Sequence, residues 1–392
     1  MTMEELKTMV NSMGANQMVN RLQRYVSKIQ GTNQYWYQRL QELLALIEQK
    51  GCPTFFFTFS AADSHWPDLQ RLLQSNEGAS RTERAQAVID NPHLTDWFFM
   101  QRLQEFIKHW LQGVLDAEWF WYRFEYQARG SIHAHGCAKL KNDPDIRLLR
   151  KRACKAVLEK EKENEMSPDD FEFSCQDIVR EGQDAERKLI SYVDWLVTTV
   201  NDDLPDENWT VPDPHPSAVK ATSVDNHDVD YHRLVNSVER HTRCSPAYCL
   251  KKKRVDLPAE CRFGFPKPLQ EETALIYEVR GKKNKSVHSE LQTKRNDERL
   301  NSHNRVMLEN WRANVDLQVI VDEKACARYM AKYAAKGEPR SKSASDILKL
   351  SVSSLQNDDQ VSSAIKKAMI KLLVIETWLL RRLPICYSVC LW

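Results

Sequence analysis

Three features of this 392-residue sequence predict an α+β fold. Thr54-Phe55-Phe56-Phe57-Thr58-Phe59 is aromatic and β-branched, the composition of a buried, pleated strand. Residues 119–127 and 132–140 are two more such runs around Ala128-Arg129-Gly130-Ser131, which is the pattern of a β-hairpin turning at Arg129-Gly130. The stretches on either side carry apolar residues at helical spacing. No self-similarity at periods of 20–50 residues points to a repeat architecture.

In chain order, residues 16–50 read as two helices split near Gly31-Thr32-Asn33. Val19, Leu22, Tyr25 and Val26 lie on the first, and Leu40, Leu43, Leu44 and Ile47 on the second. Gly51-Cys52-Pro53 ends the second before the first strand. A helix from about Asp96 to Leu115 has an apolar stripe of Trp97, Phe98, Leu103, Phe106, Ile107, Trp110 and Leu111. After the hairpin, residues 141–185 are highly charged and read as exposed helix. The Pro- and Asp-rich stretch 201–230 lacks periodicity and reads as a long connection. A Cys/His segment occupies 241–261. A short strand from Asp316 to Val321 then runs into a helix from about Asp322 to Lys336, terminated by Gly337 and Pro339.

Composition narrows the function. With 42% hydrophobic residues, 28% charged and 10 Cys, the chain is neither disordered along its length nor a disulfide scaffold. The net charge of +2 hides an asymmetry. Residues 239–342 hold 23 Lys and Arg against 14 Asp and Glu, a net of +9, and the remainder nets −7, so polyanions are candidate partners. The start, Met1-Thr2-Met3-Glu4-Glu5, lacks the pattern of a secretory signal, and no stretch has the apolar length of a membrane span. The cysteines therefore read as thiols or metal ligands. Neither GxxxxGK[ST] nor GxGxxG occurs, which removes support for a nucleotide-driven motor or a dinucleotide enzyme.

Three constellations can carry chemistry. His133 and His135 are two apart in a strand, so both imidazoles project to one face and can reach one cation. Glu125 and Gln127 on the preceding arm also share a face, and an oxygen ligand widens the choice of metal to Mg²⁺ or Mn²⁺. Tyr329 and Tyr333 are one helical turn apart, and Lys324, Arg328, Lys332, Lys336 and Arg340 recur every four residues beside them as a cationic ridge suited to phosphates. A half-buried tyrosine pair with a solvated lysine edge would look the same. His241, Cys244, Cys249 and Cys261 could close a tetrahedral structural zinc site, with His227 or His232 as substitutes for His241 and buried free thiols as the alternative. The basic run Lys251, Lys252, Lys253 and Arg254 lies inside this segment.

The order of these elements resembles the replication-initiator (Rep) nuclease domain of Helitron rolling-circle transposases, within the HUH endonuclease class. The resemblance rests on Glu125-Tyr126-Gln127-Ala128-Arg129-Gly130-Ser131-Ile132-His133-Ala134-His135, on Tyr329-Met330-Ala331-Lys332-Tyr333-Ala334-Ala335-Lys336, and on Gly51 to Ser60, Cys261 to Pro266 and Trp311 to Gln318. It spans roughly residues 35–345. Ile132 stands where the family usually has Pro.

The resemblance implies a central antiparallel sheet flanked by helices, extended by a helical segment at 1–50. Residues 51–200 and 271–345 would be the two parts of the nuclease domain, 201–230 a linker, 231–270 a zinc-knot insertion, and 346–392 a helical tail that does not align and reads as truncated or frameshifted. It further implies His133 and His135 as metal ligands with Glu125 as the third and Gln127 competing, Tyr329 and Tyr333 as nucleophiles, and Lys332 and Lys336 positioning phosphates or lowering a phenol pKa. The implied substrate is single-stranded DNA or a junction exposing it, in the nucleus, with no membrane partner and without the helicase normally fused in the family. The rival expectations are a DNA-binding relative that no longer cuts and a zinc hydrolase using the two histidines, for which no HExxH-like pattern exists.

Overall fold

The computed structural model describes residues 5, 33–75, 78–126, 131–163, 173–246, 249–252, 258–281, 285–322 and 326. Its elements are α1 (Asn33–Lys50), β1 (Phe55–Ser60), α2 (Pro67–Leu72), α3 (Arg81–Asp90), α4 (Pro92–Phe106), β2 (Ala117–Tyr126), β3 (Ile132–Leu140), α5 (Ile146–Glu163) and α6 (Phe173–Leu196). There follow α7 (His227–Leu234), β4 (Leu250–Lys251), β5 (Glu260–Cys261), β6 (Ala274–Arg280), β7 (Ser286–Gln292), α8 (Arg305–Trp311) and β8 (Val315–Val319). A π-helical stretch, Ile107–Val114, prolongs α4.

Four strands form one antiparallel sheet in the order β2-β3-β1-β8. The last strand, far away in sequence, thus lies beside the first. Two-residue alternation divides the sheet between two environments. Phe55, Phe57 and Phe59, Phe120, Tyr122 and Phe124, Ala134 and Ala138, and Val315 and Leu317 point to one side. There they pack on Phe99 and Leu103 of α4, on Trp110 and Leu111 of its π-helical extension, and on Trp66 and Trp311. Gly136 is needed on this side, because a Cβ there would meet the Phe57 ring at 2.4 Å and the Trp121 carbonyl at 2.5 Å.

The opposite side carries Glu125, Arg123, Trp121 and Trp119 on β2, His133, His135 and Cys137 on β3, Thr58 and Phe56 on β1, and Asp316 and Gln318 on β8, as the pairing registers require. One half of it is closed by α1, whose Leu40 and Leu43 pack with Cys52, Phe56, Trp119, Trp121, Cys137, Ile320 and Cys326. The histidines stand in the other half.

The connections are held by buried polar groups. Glu239 is fully buried and accepts the Val315 amide at 2.7 Å and the Asn314 side-chain amide at 3.3 Å, which fixes the start of β8. Arg312, 3% exposed, donates to both carboxylate oxygens of Asp230 at 2.7 and 2.8 Å and also to the Pro216 carbonyl.

The expected strand at 54–59 and both hairpin arms are present, and the strand expected at 316–321 is β8. Trp97 does not join the apolar stripe of α4: it is 50% exposed, because Phe99, Leu103 and Trp110 define the buried face and Trp97 falls away from it at 100° per residue. The β6–β7 hairpin was not expected. The alternation of its arms, with Glu278, Arg280, His288 and Glu290 at exposed positions, was the signal available. Short α7 starts inside the end of the 201–230 connection, capped by Asn226. The hairpin turn, the helix expected at 16–30, most of the helix expected at 322–336 and the tail at 346–392 lie outside the described residues.

Candidate metal and nucleic-acid site

β3 displays His133 and His135 on one face, with rings parallel within 18° and centroids 6.5 Å apart. Register places Glu125 opposite His133 and Thr58 opposite His135. Glu125 reaches diagonally, so that its Oε2 lies 3.3 Å from His135 Nε2. That separation is close to the roughly 3 Å edge between neighbouring ligands of an octahedral cation with bonds of about 2.1 Å. His135 Nε2 and the Glu125 carboxylate therefore suit two adjacent coordination positions. His133 stands beside them.

Backbone and hydroxyl partners orient both rings. His133 Nδ1 lies 3.2 Å from the Ser131 carbonyl. A carbonyl only accepts, so Nδ1 carries the proton and Nε2 keeps its lone pair in the neutral ring. Burial, followed by the neighbouring His135, pulls the His133 pKa down to about 4, so the ring is neutral at pH 7. His135 Nδ1 lies 3.0 Å from the Thr58 hydroxyl, which can accept from an Nδ1–H or donate to a bare nitrogen. Thr58 thus serves the ring whether Nε2 points a proton at Glu125 or a lone pair at a cation. Ser131 is held in turn by Asp63, whose Oδ2 accepts its hydroxyl at 3.0 Å. Burial pushes the Asp63 carboxyl up to about 6, partly offset by the Ser131 hydroxyl.

Asp316 completes the row Arg123, His135, Thr58, Asp316 across the four strands. Burial pushes its carboxyl above the usual range, while Lys267, the Gln318 amide and His135 act in the opposite sense. Thr58, Asp63 and Asp316 were not among the expected site residues. The polar alternation Thr54, Thr58, Ser60 in an otherwise aromatic strand was the signal available for Thr58.

Cys326 is buried on the half of this face that α1 covers. It is 1% exposed, its amide donates to the Asp322 carbonyl at 3.0 Å as in a helix, and its thiol meets that of Cys52, with Cys137 nearby. Cys137 follows His135 by two residues on the same face, and Tyr329 follows Cys326 by three. Tyr329, Lys332, Tyr333, Lys336, Lys324, Arg328, Arg340, Gln127, Lys253 and Arg254 lie outside the described residues. Lys251 and Lys252 are exposed.

The second cluster is His241, Cys244, Cys249 and Cys261, whose ligand atoms all lie within 4.8 Å of one another. Leu250 pairs with Cys261 in the β4–β5 ribbon, which sets Cys249 beside Cys261. His241 Nε2 is 3.2 Å from Cys244 Sγ and 3.5 Å from Cys261 Sγ. Burial raises the Cys261 thiol pKa, but the backbone amides of Phe265 and Phe263 outweigh it and hold the thiol below its ordinary value. Burial and the nearby Arg299 keep His241 toward its neutral form. Three sulfurs and a neutral imidazole converging in this way can bind a metal such as zinc. His227 and His232 are not part of the group.

Among the described residues no helix is long and apolar enough to cross a membrane. Residues 1–137 match the family model of the Helitron helicase-like domain at N-terminus. That match contains α1, β1, β2, Glu125 and both histidines, and it ends at Cys137. No curated protein and no solved structure matches the chain.

Proposed function

We propose that this protein is a metal-dependent, HUH-type DNA nicking and joining enzyme of the Helitron Rep kind, with residues 51–200 and 271–345 forming one nuclease unit. The observation that carries the reading is the convergence of His135 Nε2 and the Glu125 carboxylate beside His133, with each imidazole already oriented through Nδ1. The burial of Cys326 on the same sheet face, three residues before Tyr329 in sequence, supports it.

In this reading His133, His135 and Glu125 hold Mg²⁺ or Mn²⁺, with Gln127 as the competing third ligand or a partner behind the ligands. A bound divalent cation would polarise the scissile phosphate. Tyr329 or Tyr333 attacks phosphorus. A phosphotyrosine bond forms as the bond to the 3′ oxygen breaks, so one phosphodiester replaces another and strands can be rejoined without ATP. Lys332 and Lys336 position phosphates or favour the phenolate, and Lys324, Arg328, Arg340 and the run Lys251, Lys252, Lys253 and Arg254 hold single-stranded DNA or a junction by its backbone. His241, Cys244, Cys249 and Cys261 hold a structural Zn²⁺, and the protein acts in the nucleus.

The test is a covalent adduct. Incubated with Mn²⁺ and a 3′-end-labelled single strand carrying transposon-end sequence, the purified chain is expected to give a labelled band at protein size, absent from the Tyr329→Phe/Tyr333→Phe double variant. A wild-type protein that binds DNA in a salt-dependent manner and never forms the adduct would establish a binding-only role instead. Thr58→Val is expected to weaken Mn²⁺ binding about 10–100-fold, the usual cost of removing a partner that orients a ligand. Mn²⁺ titration monitored by electron paramagnetic resonance checks this, and unchanged affinity would remove Thr58 from the site.

A further inference from the structure

The Cys/His knot and the histidine face are joined by one short segment. The His241 imidazole stacks on Phe265, with centroids 4.9 Å apart and planes within 16°. Phe265 is buried, and the Lys267 ammonium sits 5.0 Å from the centroid of the same ring. The Lys267 amide donates to the Glu298 carbonyl at 2.8 Å, which docks the segment on the loop leading to α8. Lys267 feels Asp316, the β8 carboxylate that also interacts with His135. Among the described residues no carboxylate comes within ion-pair distance of its ammonium.

We propose that Lys267 is a phosphate-binding residue of the histidine face, carried there by the Cys/His knot through Phe265. A half-buried ammonium on an aromatic ring, left without a directly paired carboxylate, is a site for an anion. Arg295 adds positive potential nearby but is committed to the Asp297 and Leu300 carbonyls. The anion that fits a nucleic-acid-binding chain is a backbone phosphate of single-stranded DNA. The knot then has a task beyond holding its own loop, since His241, one of its four ligand residues, sets the ring on which the cation rests. This inference rests on the DNA-processing reading above.

The experiment measures binding of a fluorescent 20-mer single strand to the full chain over a range of KCl, without added divalent metal, for wild type, Lys267→Ala, Lys267→Arg and Lys141→Ala. Lys141 is exposed, pairs with Asp116 and lies beyond the far end of β3. Losing one phosphate contact should reduce the magnitude of the slope of log K against log salt by about 0.7 for a single strand. Lys267→Ala is expected to show that reduction, while Lys267→Arg and Lys141→Ala keep the wild-type slope. An unchanged slope in Lys267→Ala, with circular dichroism showing a folded protein, overturns the proposal, as does a loss equal in Lys141→Ala. The adduct assay on the same samples separates the two readings. A slope change without any wild-type adduct retains Lys267 and removes the nuclease. An adduct without a slope change does the reverse.

Discussion

Arg312→Ala is expected to destabilise the protein by about 3–5 kcal/mol, the range found when one partner of a buried ion pair is removed. The guanidinium is 3% exposed and binds both oxygens of Asp230 on α7 as well as the Pro216 carbonyl, so one side chain clamps α7 and the 216–218 turn to the end of α8. Truncation would leave the Asp230 carboxylate, itself largely buried, without its counter-charge. It would also orphan the Pro216 carbonyl. Arg312 further occupies a left-handed backbone conformation, φ 60°, as the C-cap of α8, directly before the segment that enters β8. The matched control is Arg305→Ala. Its ion pairs with Asp228 and Glu309 are exposed or half-exposed, and its loss should cost no more than about 1 kcal/mol. Urea unfolding of the two variants checks the contrast. An Arg312→Ala protein within 1 kcal/mol of wild type would show that Asp230 finds water or another donor.

That residue illustrates what the sequence did and did not disclose. Trp311-Arg312-Ala313-Asn314-Val315-Asp316 carries part of the Helitron resemblance, and the sequence assigned Arg312 no role of its own. The fold gives it a structural task. Trp311 is fully buried against Phe59, Phe99 and Trp66, and Arg312 is spent on Asp230. Asp316 in this run turns to the histidine face. Local patterns were legible where composition, period and burial agree: the FFFTFS strand and the two hairpin arms follow from aromatic and β-branched composition, and the shared face of His133 and His135 from two-residue alternation. The close spacing of His241, Cys244, Cys249 and Cys261 likewise foretold a cluster that the fold does bring together. What could not be read were partners separated by long stretches of chain. Thr58 on His135, Asp63 on Ser131 and Lys267 toward Asp316 depend on which strands neighbour each other. β8 pairs with β1 across more than 250 residues, and no local signal encodes that.

A second large effect is expected in acid, and it comes from His303. The residue is fully buried: its Nδ1 faces the Asn301 carbonyl at 3.0 Å, so that nitrogen donates, and Nε2 receives the Tyr231 hydroxyl at 2.9 Å. Both ring nitrogens are used by the neutral imidazole. A second proton would convert the Nε2 acceptor into a donor facing a hydroxyl already committed to it. Burial accordingly pulls the pKa from 6.5 down to about 4, with the Asn301 carbonyl acting weakly the other way. Because the folded pKa lies below the unfolded one, the unfolded chain takes up the proton first as pH falls. The contribution is fully present above about pH 6.5 and is lost progressively toward pH 4, amounting to about 3 kcal/mol over that window. His303→Gln removes the titration. The gap in unfolding free energy between wild type and His303→Gln should therefore shrink by about 3 kcal/mol between pH 7 and pH 4, whatever packing cost the substitution carries at both. A gap that stays constant would mean that His303 is protonated without penalty. Because His303 forms the bridge to Thr198 and lies in the loop between Lys267's partner Glu298 and α8, its protonation loosens the support on which the knot-to-sheet segment is docked. Single-strand affinity should then fall in the same pH window, ahead of global unfolding, and more steeply in wild type than in His303→Gln.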